Sequence, residues 1–284
     1  MKLGLALSGG GIRGIAHAGV LKAFEDNDIK IDVIGGTSSG SLVASLYAMG
    51  YSPYYIYILF KKYAKDIVEI NSTPIITGIG SFVKNKKISV TGLKTGERIE
   101  EAYNHLAERK GVKKVSDITR IPLVIPTVDL NTSKEYIFTN NILDFKEDKY
   151  ISDISLGKAV RASSSFPAVF SPCKYKKFRF LDGGVLNNIP VEEVKRHGAD
   201  KVIAVNFKAD DITENSNIMD IVMRTLDIMG NKISEEGLNS SDYILTVETD
   251  KTGLLDIDKL DECYMSGYKI ARENIDEIKN SIYN

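Results

Sequence analysis

A single α/β domain with a mainly parallel sheet is the fold class this sequence predicts. Short, continuously apolar runs alternate with longer stretches whose apolar positions recur at helical spacing. Glycines stand at the joints between run and helix, where the chain must turn tightly. The runs are apolar throughout, as strands covered on both faces are.

The elements follow in order. Leu3–Leu7 is a buried strand, and Ser8-Gly9-Gly10-Gly11 is the turn behind it. Ile12 to Phe24 carries Ile12, Ile15, Ala16, Gly19, Val20 and Ala23 at helical spacing and ends in polar Glu25-Asp26-Asn27-Asp28. Ile31–Ile34 is a second strand, Gly35-Gly36 a sharp break, and Ser41–Met49 an almost wholly apolar helix stopped by Gly50. Further strands are expected at Leu123–Asp129, Glu135–Thr139, Lys177–Leu181, Lys201–Phe207 and Tyr243–Val247. Val191–His197 is a helix capped by Gly198, and Thr225 opens another. Asp258–Tyr283 reads as one long amphipathic helix that packs back over the sheet. The core runs over about 3–207, and a C-terminal, mostly helical region follows over about 215–284.

The stretch 53–96 departs from this rhythm. Pro53–Ile70 is apolar and aromatic around most of a helix, with Tyr54, Tyr55, Tyr57, Phe60 and Tyr63. Asn71–Gly96 is rich in Gly, Ser, Thr and Lys. Two readings stand: a cap or mobile lid, or a buried helix followed by a solvated basic loop.

Composition narrows the function classes. With 43% apolar residues in a chain of 284, a full core is expected and disorder is not. Lys and Arg number 37 against 38 Asp and Glu, a net charge of −1 that gives no footprint for nucleic acid. Two cysteines, Cys173 and Cys263, make neither a disulfide framework nor a zinc site, and they suit a reducing compartment. No stretch approaches the roughly 18 uncharged apolar residues of a membrane span, and the apolar start is too short for a signal peptide. A cytoplasmic protein is expected, one that can still work at a membrane surface. No His, Cys or carboxylate cluster has metal-ligand spacing, so neither metal nor cofactor is expected.

The chemistry lies in three places. Gly36-Thr37-Ser38-Ser39-Gly40 is a G-x-S-x-G pentapeptide between an apolar strand and an apolar helix, the setting of a nucleophile elbow. Gly36 and Gly40 permit a strained turn that lifts Ser38 off the sheet edge, and the helix beginning at Ser39 aims its N–H groups at developing negative charge. The plainer alternative is a glycine turn whose serine caps a helix. Gly9-Gly10-Gly11-Ile12-Arg13-Gly14 opens the first helix, and its bare amides form an anion cradle that could serve as an oxyanion hole. Arg13 either adds charge there or is structural.

The same loop fits the dinucleotide fingerprint, a competing reading that requires an acid at the end of the second strand. Asp32 has the right spacing but begins that strand. Asp182, followed by Gly183-Gly184, closes the strand Lys177–Leu181 and is the candidate base; by itself Asp-Gly-Gly is more often a plain turn. The three histidines are His17 and His105 within helices and His197 in a last helical turn, places better suited to structural or exposed roles. A triad is therefore disfavoured and a Ser–Asp pair remains.

Taken together, Gly9–Gly14, Gly36–Gly40 and Asp182-Gly183-Gly184, in that order, resemble the patatin-like phospholipase family. Arg161-Ala162-Ser163-Ser164-Ser165-Phe166-Pro167 and Asn187-Asn188-Ile189-Pro190 add to the likeness, which covers about residues 3–207. The resemblance implies a three-layer α/β/α fold and a metal-free lipid acyl hydrolase. In it Ser38 attacks the ester, Asp182 takes its proton and later activates water, and Gly10, Gly11 and Ile12 bind the oxyanion, with Gly9 and Ser39 beside them. The partner implied is a lipid ester substrate, met through transient contact with a membrane surface. Ser163–Ser165 reads as structural support, Tyr54–Tyr63 as an acyl-chain wall, and Lys84, Lys86 and Lys87 as a headgroup contact. A non-catalytic binding protein with the same fold is the remaining rival.

Overall fold

The computed structural model describes residues 1–68, 95–141, 147–167, 169–208, 218–249, 252 and 257–283. The strands are β1 (Leu3–Leu7), β2 (Val33–Gly36), β3 (Leu123–Asp129), β4 (Lys134–Thr139), β5 (Tyr150–Ile151), β6 (Cys173–Tyr175), β7 (Phe178–Asp182), β8 (Lys201–Phe207) and β9 (Tyr243–Val247). They form one sheet in the order β5-β4-β3-β2-β1-β8-β9, with β7 attached to β3 and β6 to β7. The run β3-β2-β1-β8-β9 is parallel, and β3 meets β4 and β7 antiparallel.

The helices are α1 (Ala16–Asp26), α2 (Ser39–Ala48), α3 (Pro53–Val68), α4 (Glu97–Glu108), α5 (Leu156–Ser163), α6 (Val191–Arg196), α7 (Ile218–Ile233), α8 (Glu235–Asn239), α9 (Leu260–Glu273) and α10 (Ile275–Tyr283). Strand side chains alternate faces, so a sheet covered on both sides has two cores. Leu5, Leu7, Ile34, Ile203 and Val205 enter the larger core with residues of α1 to α5, α9 and α10. Ala6, Val33, Val202 and Ala204 enter a smaller one with Val191 and Val194 of α6. The result is the expected three-layer α/β/α arrangement on a mainly parallel sheet.

The C-terminal region packs back over the sheet through α1. A Cβ at Gly19 would overlap the Tyr264 carbonyl of α9, and one at Gly267 would overlap the Ala16 carbonyl. Two glycines at one crossing let the helix backbones touch, and side chains of ordinary size would push them apart.

Several expectations are corrected. β2 runs from Val33 through Gly36, because Gly35 and Gly36 lie in register beside Ala6 and Leu7; the glycines continue the strand to the elbow instead of breaking it. The first helix opens as a 3-10 turn over Gly11–Ile15 before α1. The helix expected from Thr225 begins at Ile218. Asp258–Tyr283 is interrupted at Asn274, whose amide donates to the Ile270 carbonyl at 2.8 Å and so closes off the helix end.

Residues 53–64 form an ordinary core helix: Ile56, Leu59, Phe60 and Ala64 are buried, and the Tyr57 hydroxyl donates to Asp261 at 2.7 Å. The rest of the expected lid, 69–94, and with it Lys84, Lys86 and Lys87, lies outside the described residues.

The close helix crossing generates a stability prediction. Gly267→Val is expected to cost about 1–3 kcal/mol by overpacking. It should lower the urea midpoint without changing the slope of the transition. An unchanged midpoint would contradict the backbone contact between α1 and α9.

Candidate active site

Strand β3 brings the two candidate side chains together. β2 runs parallel to it and ends beside Val124, with Gly35 opposite that residue. β7 runs the other way along the same strand and ends with Asp182 opposite Thr127. Their C-terminal ends therefore converge across about three residues of β3, roughly 10 Å. The turns that follow the two strands fill this gap. Thr127 Oγ1 donates to the Leu181 carbonyl at 2.8 Å, and the methyl group of Thr37 stands against Gly183.

Ser38 occupies the apex of the first turn with φ 52° and ψ −122°, a conformation L-residues rarely adopt. Such strain costs of order 1–3 kcal/mol and persists only where the surroundings enforce it. Here they do. Thr37 N–H donates to Leu7 O at 3.1 Å, Gly40 N–H to Thr37 O at 2.8 Å, and Ser38 N–H to Ser163 Oγ at 3.1 Å. A Cβ at Gly36 would overlap the Gly40 backbone, and one at Gly40 the Leu7 carbonyl. The strained geometry is followed at once by α2, and the Ser38 side chain makes no capping hydrogen bond to it.

Asp182 is 2% exposed, while Ser38 is half-buried and open to a ligand. Oδ1 accepts the Gly184 N–H at 2.8 Å. Ser38 is a neighbour close enough for its side chain to pull the Asp182 carboxyl pKa downward. Oδ2 is buried and has no hydrogen bond of ordinary geometry. Burial raises the carboxyl pKa from an ordinary 3.8 to about 7, against the downward pull of Ser38 and the Gly184 N–H. Next to a serine hydroxyl, this is a carboxylate with the basicity of an imidazole.

The glycine loop lies against the same turn. Gly11 has φ 59° and opens the 3-10 turn, and a Cβ at Gly14 would overlap the Ser39 side chain at the start of α2. Arg13 is a structural residue here: it is 2% exposed, its Nε donates to the Gly10 carbonyl at 3.3 Å, and its guanidinium lies over the Phe207 ring. In a trans peptide the N–H points away from the C=O. Holding the Gly10 carbonyl therefore turns the Gly11 N–H the opposite way. Gly9 is a correction: its N–H is taken by the carbonyl and Oδ1 of Asn188, at 3.2 and 3.1 Å, so it is withdrawn from the oxyanion donors.

The other candidates resolve as follows. Asp32 precedes β2 and its carboxylate accepts the Leu3 N–H at 3.0 Å. That end of the parallel pair is about five residues, roughly 16 Å, from the glycine loop, too far to share a nucleotide with it. His17 is fully buried and neutral, its Nε2–H donating to Ser8 O at 2.9 Å with burial lowering its pKa to about 4. The ring of His197 donates from Nδ1 to the Glu193 carbonyl at 2.7 Å within its own helix, and His105 is exposed. Both cysteines are buried free thiols. Among the described residues no group of His, Cys, Asp and Glu could hold a metal ion.

The structural support expected of Ser163–Ser165 takes a specific form here, and Thr37 and Asn187, to which the sequence assigned no holding role, join it. Ser163 Oγ accepts the Ser38 N–H and the Ser165 carbonyl accepts the Asp182 N–H at 3.1 Å, so one short segment carries both side chains. Thr37 Oγ1 donates to the Asn187 carbonyl at 2.8 Å, and Asn187 Nδ2 to Glu135 at 2.7 Å. The serine run and the Asn-Asn pair were visible in the sequence; which backbone groups they would meet was not.

Comparison with known proteins places this geometry. The family model of the patatin-like phospholipase matches residues 5–195. The chain is 30% identical to the lysophospholipase NTE1 of Lodderomyces elongisporus over 98% of its own length and 19% of that protein's. It is 34% identical to the Saccharomyces cerevisiae lysophospholipase NTE1 over 74% of its length and 11% of that protein's. The chain thus spans about a fifth or less of the curated relatives it matches. Among solved structures, ExoU in its complex with SpcU from Pseudomonas aeruginosa aligns with a TM-score of 0.52 at 18% identity, covering 98% of this chain and 51% of that one. VipD from Legionella pneumophila aligns with a TM-score of 0.50 at 13% identity, covering 97% and 67%. These two likenesses concern the fold, whereas the family match covers the glycine loop, the elbow and the Asp182 turn alike: the chain belongs to the patatin-like phospholipase family.

Proposed function

We propose that this chain is a serine hydrolase of lipid acyl esters, of phospholipase A or lysophospholipase type. The observation that carries the reading is a strained serine beside a buried carboxylate whose pKa stands near 7. Ser38 Oγ attacks the ester carbonyl while Asp182 accepts the hydroxyl proton. Backbone N–H groups of Gly10, Gly11, Ile12 and Ser39 receive the negative charge that develops on the carbonyl oxygen. Collapse of the tetrahedral intermediate expels the alcohol, which takes the proton back from Asp182. Water then attacks the acyl-enzyme, giving its proton to Asp182, and the fatty acid leaves as Ser38 regains its hydrogen.

Contact with a lipid surface is part of the proposal. Helix α7 leans with Gly230 on the Gly184 carbonyl, one turn from Asp182, and turns Ile221, Ile228, Met229 and Ile233 outward, each about half exposed. Apolar side chains in such a row beside the active site suit a substrate presented in an aggregate. Among the described residues no helix is long and apolar enough to cross a membrane. The buried free thiols suit a cytoplasmic setting.

A fluorophosphonate probe should label the wild-type chain and leave Ser38→Ala unlabelled, and mass spectrometry of fatty acids freed from a mixed lipid extract would name the substrate. Asp182→Asn keeps the shape but loses the base, so turnover should fall by about 10⁴-fold with folding intact. Turnover close to that of wild type would refute the dyad.

The rate should depend on pH in the direction that Asp182 dictates. The base works when ionised, so kcat/KM should fall about tenfold per pH step below 7 and level off above it. Stability should move the opposite way. The folded carboxyl binds its proton more tightly than the unfolded one, so the stability that neutral Asp182 contributes is complete below pH 4. It is lost as pH rises through 7. The interval corresponds to at most about 4 kcal/mol. Asp182→Asn should therefore be more stable than wild type at pH 8 by up to that amount and equal to it near pH 4, read from urea midpoints. His17 is common to both proteins and cancels.

A further inference from the structure

Asn188 takes no part in the chemistry described above, yet it joins three pieces of the site. It follows the Asp182 turn and is 7% exposed. Its carbonyl and its Oδ1 both accept the Gly9 N–H, at 3.2 and 3.1 Å. Its Nδ2 donates to Asn231 Oδ1 at 2.9 Å, and its backbone N–H donates to Ser234 Oγ at 2.8 Å. The amide side chain is thus occupied at both ends. One end holds the glycine loop and the other is held by Asn231 of α7, while Ser234, the residue after that helix, takes the Asn188 backbone N–H.

A loop of consecutive glycines cannot hold itself. It has no side chains to pack and more conformational freedom to lose than any other sequence. Amides aimed at an oxyanion contribute only if they are fixed before the reaction begins. The clamps must therefore come from outside the loop. Arg13 takes the Gly10 carbonyl and Asn188 takes the Gly9 N–H, so peptide planes on both sides of the Gly9 and Gly10 α-carbons are fixed. Asn188 also sits on the chain segment that leaves Asp182, so one loop sets the spacing between the base and the oxyanion donors.

We infer that Asn188 is a positioning residue for the oxyanion loop, braced by Asn231 and Ser234, so that α7 belongs to the catalytic assembly although it lies beyond the segment the family model matches. The inference rests on the hydrolase reading above. It assigns no contact between Asn188 and substrate.

The test uses the whole chain, a chromogenic short-chain ester and a fluorophosphonate. Asn188→Ala should lower kcat about 100-fold, the scale expected when reacting groups shift by an ångström. KM should stay within about twofold, the fluorophosphonate labelling rate should drop in the same ratio, and the pH midpoint should remain that of wild type because Asp182 is untouched. Asn231→Ala should lower kcat in the same sense but less. Asn231→Asp, which keeps an acceptor for the Asn188 amide, should restore most of the loss. If Asn188→Ala does not fold, the half-buried Asn231 pair makes the same comparison. Asn231→Ala and Asn188→Ala with wild-type kcat and only a lower unfolding temperature would overturn the inference. Failure of the wild-type chain to hydrolyse or label at all would instead overturn the hydrolase reading, and this one with it.

Discussion

A carboxylate kept out of water beside a serine hydroxyl is the constraint on which the site depends. Burying Asp182 disfavours its charged form by up to about 4 kcal/mol, and the result is a carboxyl group of near-neutral pKa. Two neighbours act on the group: the Gly184 N–H on Oδ1, and Ser38, whose side chain pulls its pKa downward. The first is local to the turn; the second depends on the divided pairing of β3, which takes β2 on its first residues and β7 on its last. The strain at Ser38 follows from the same geometry. A serine at the end of a parallel strand must turn back sharply to meet a carboxylate arriving from the opposite direction.

Much of the fold was legible in the sequence. Leu3–Leu7, Leu123–Asp129, Lys201–Phe207 and Tyr243–Val247 are strands to the residue: the first three are mostly apolar runs buried on both faces, and the last, at the sheet edge, alternates exposed and buried residues. Gly35 and Gly36 misled because glycine is a breaker by local preference. Here the ladder to Ala6 and Leu7 overrides that preference, and a Cβ at Gly35 would press on Val194 of α6. Asn274 was passed over because the amphipathic period continues through it; what ends α9 is a side-chain amide turned back on the helix, which no periodicity records. Strands as short as β5 and β6 carry too few residues to show a pattern at all.

The site was legible unevenly, for a related reason. Ser38 and Asp182 stand out because the glycines around them are costly anywhere else, so the motif points to the turn. Their meeting depends on an antiparallel pair between β3 and β7, distant in sequence, which neither motif encodes. Gly9 shows the opposite error. Its bare amide looked available, and a backbone carbonyl and side chain far along the chain had already claimed it. Positioning residues such as Ser163 and Asn188 are hydrogen-bonding side chains of ordinary type, distinguished only by what the fold sets opposite them.

On the proposed reading, the same burial also accounts for a carboxylate, and not an imidazole, serving as the base. Desolvation penalises whichever form carries charge. For a carboxyl group that is the basic form, so burial strengthens the base and Asp182 rises to about 7. For imidazole it is the acidic form, so burial weakens the base and His17, on the neighbouring helix, falls to about 4. A histidine placed as deep as Asp182 would be a feeble proton acceptor at neutral pH unless a further buried anion accompanied it. A single deep aspartate reaches the needed basicity without a third member, which is why a two-residue site suits a serine sunk this close to the sheet edge.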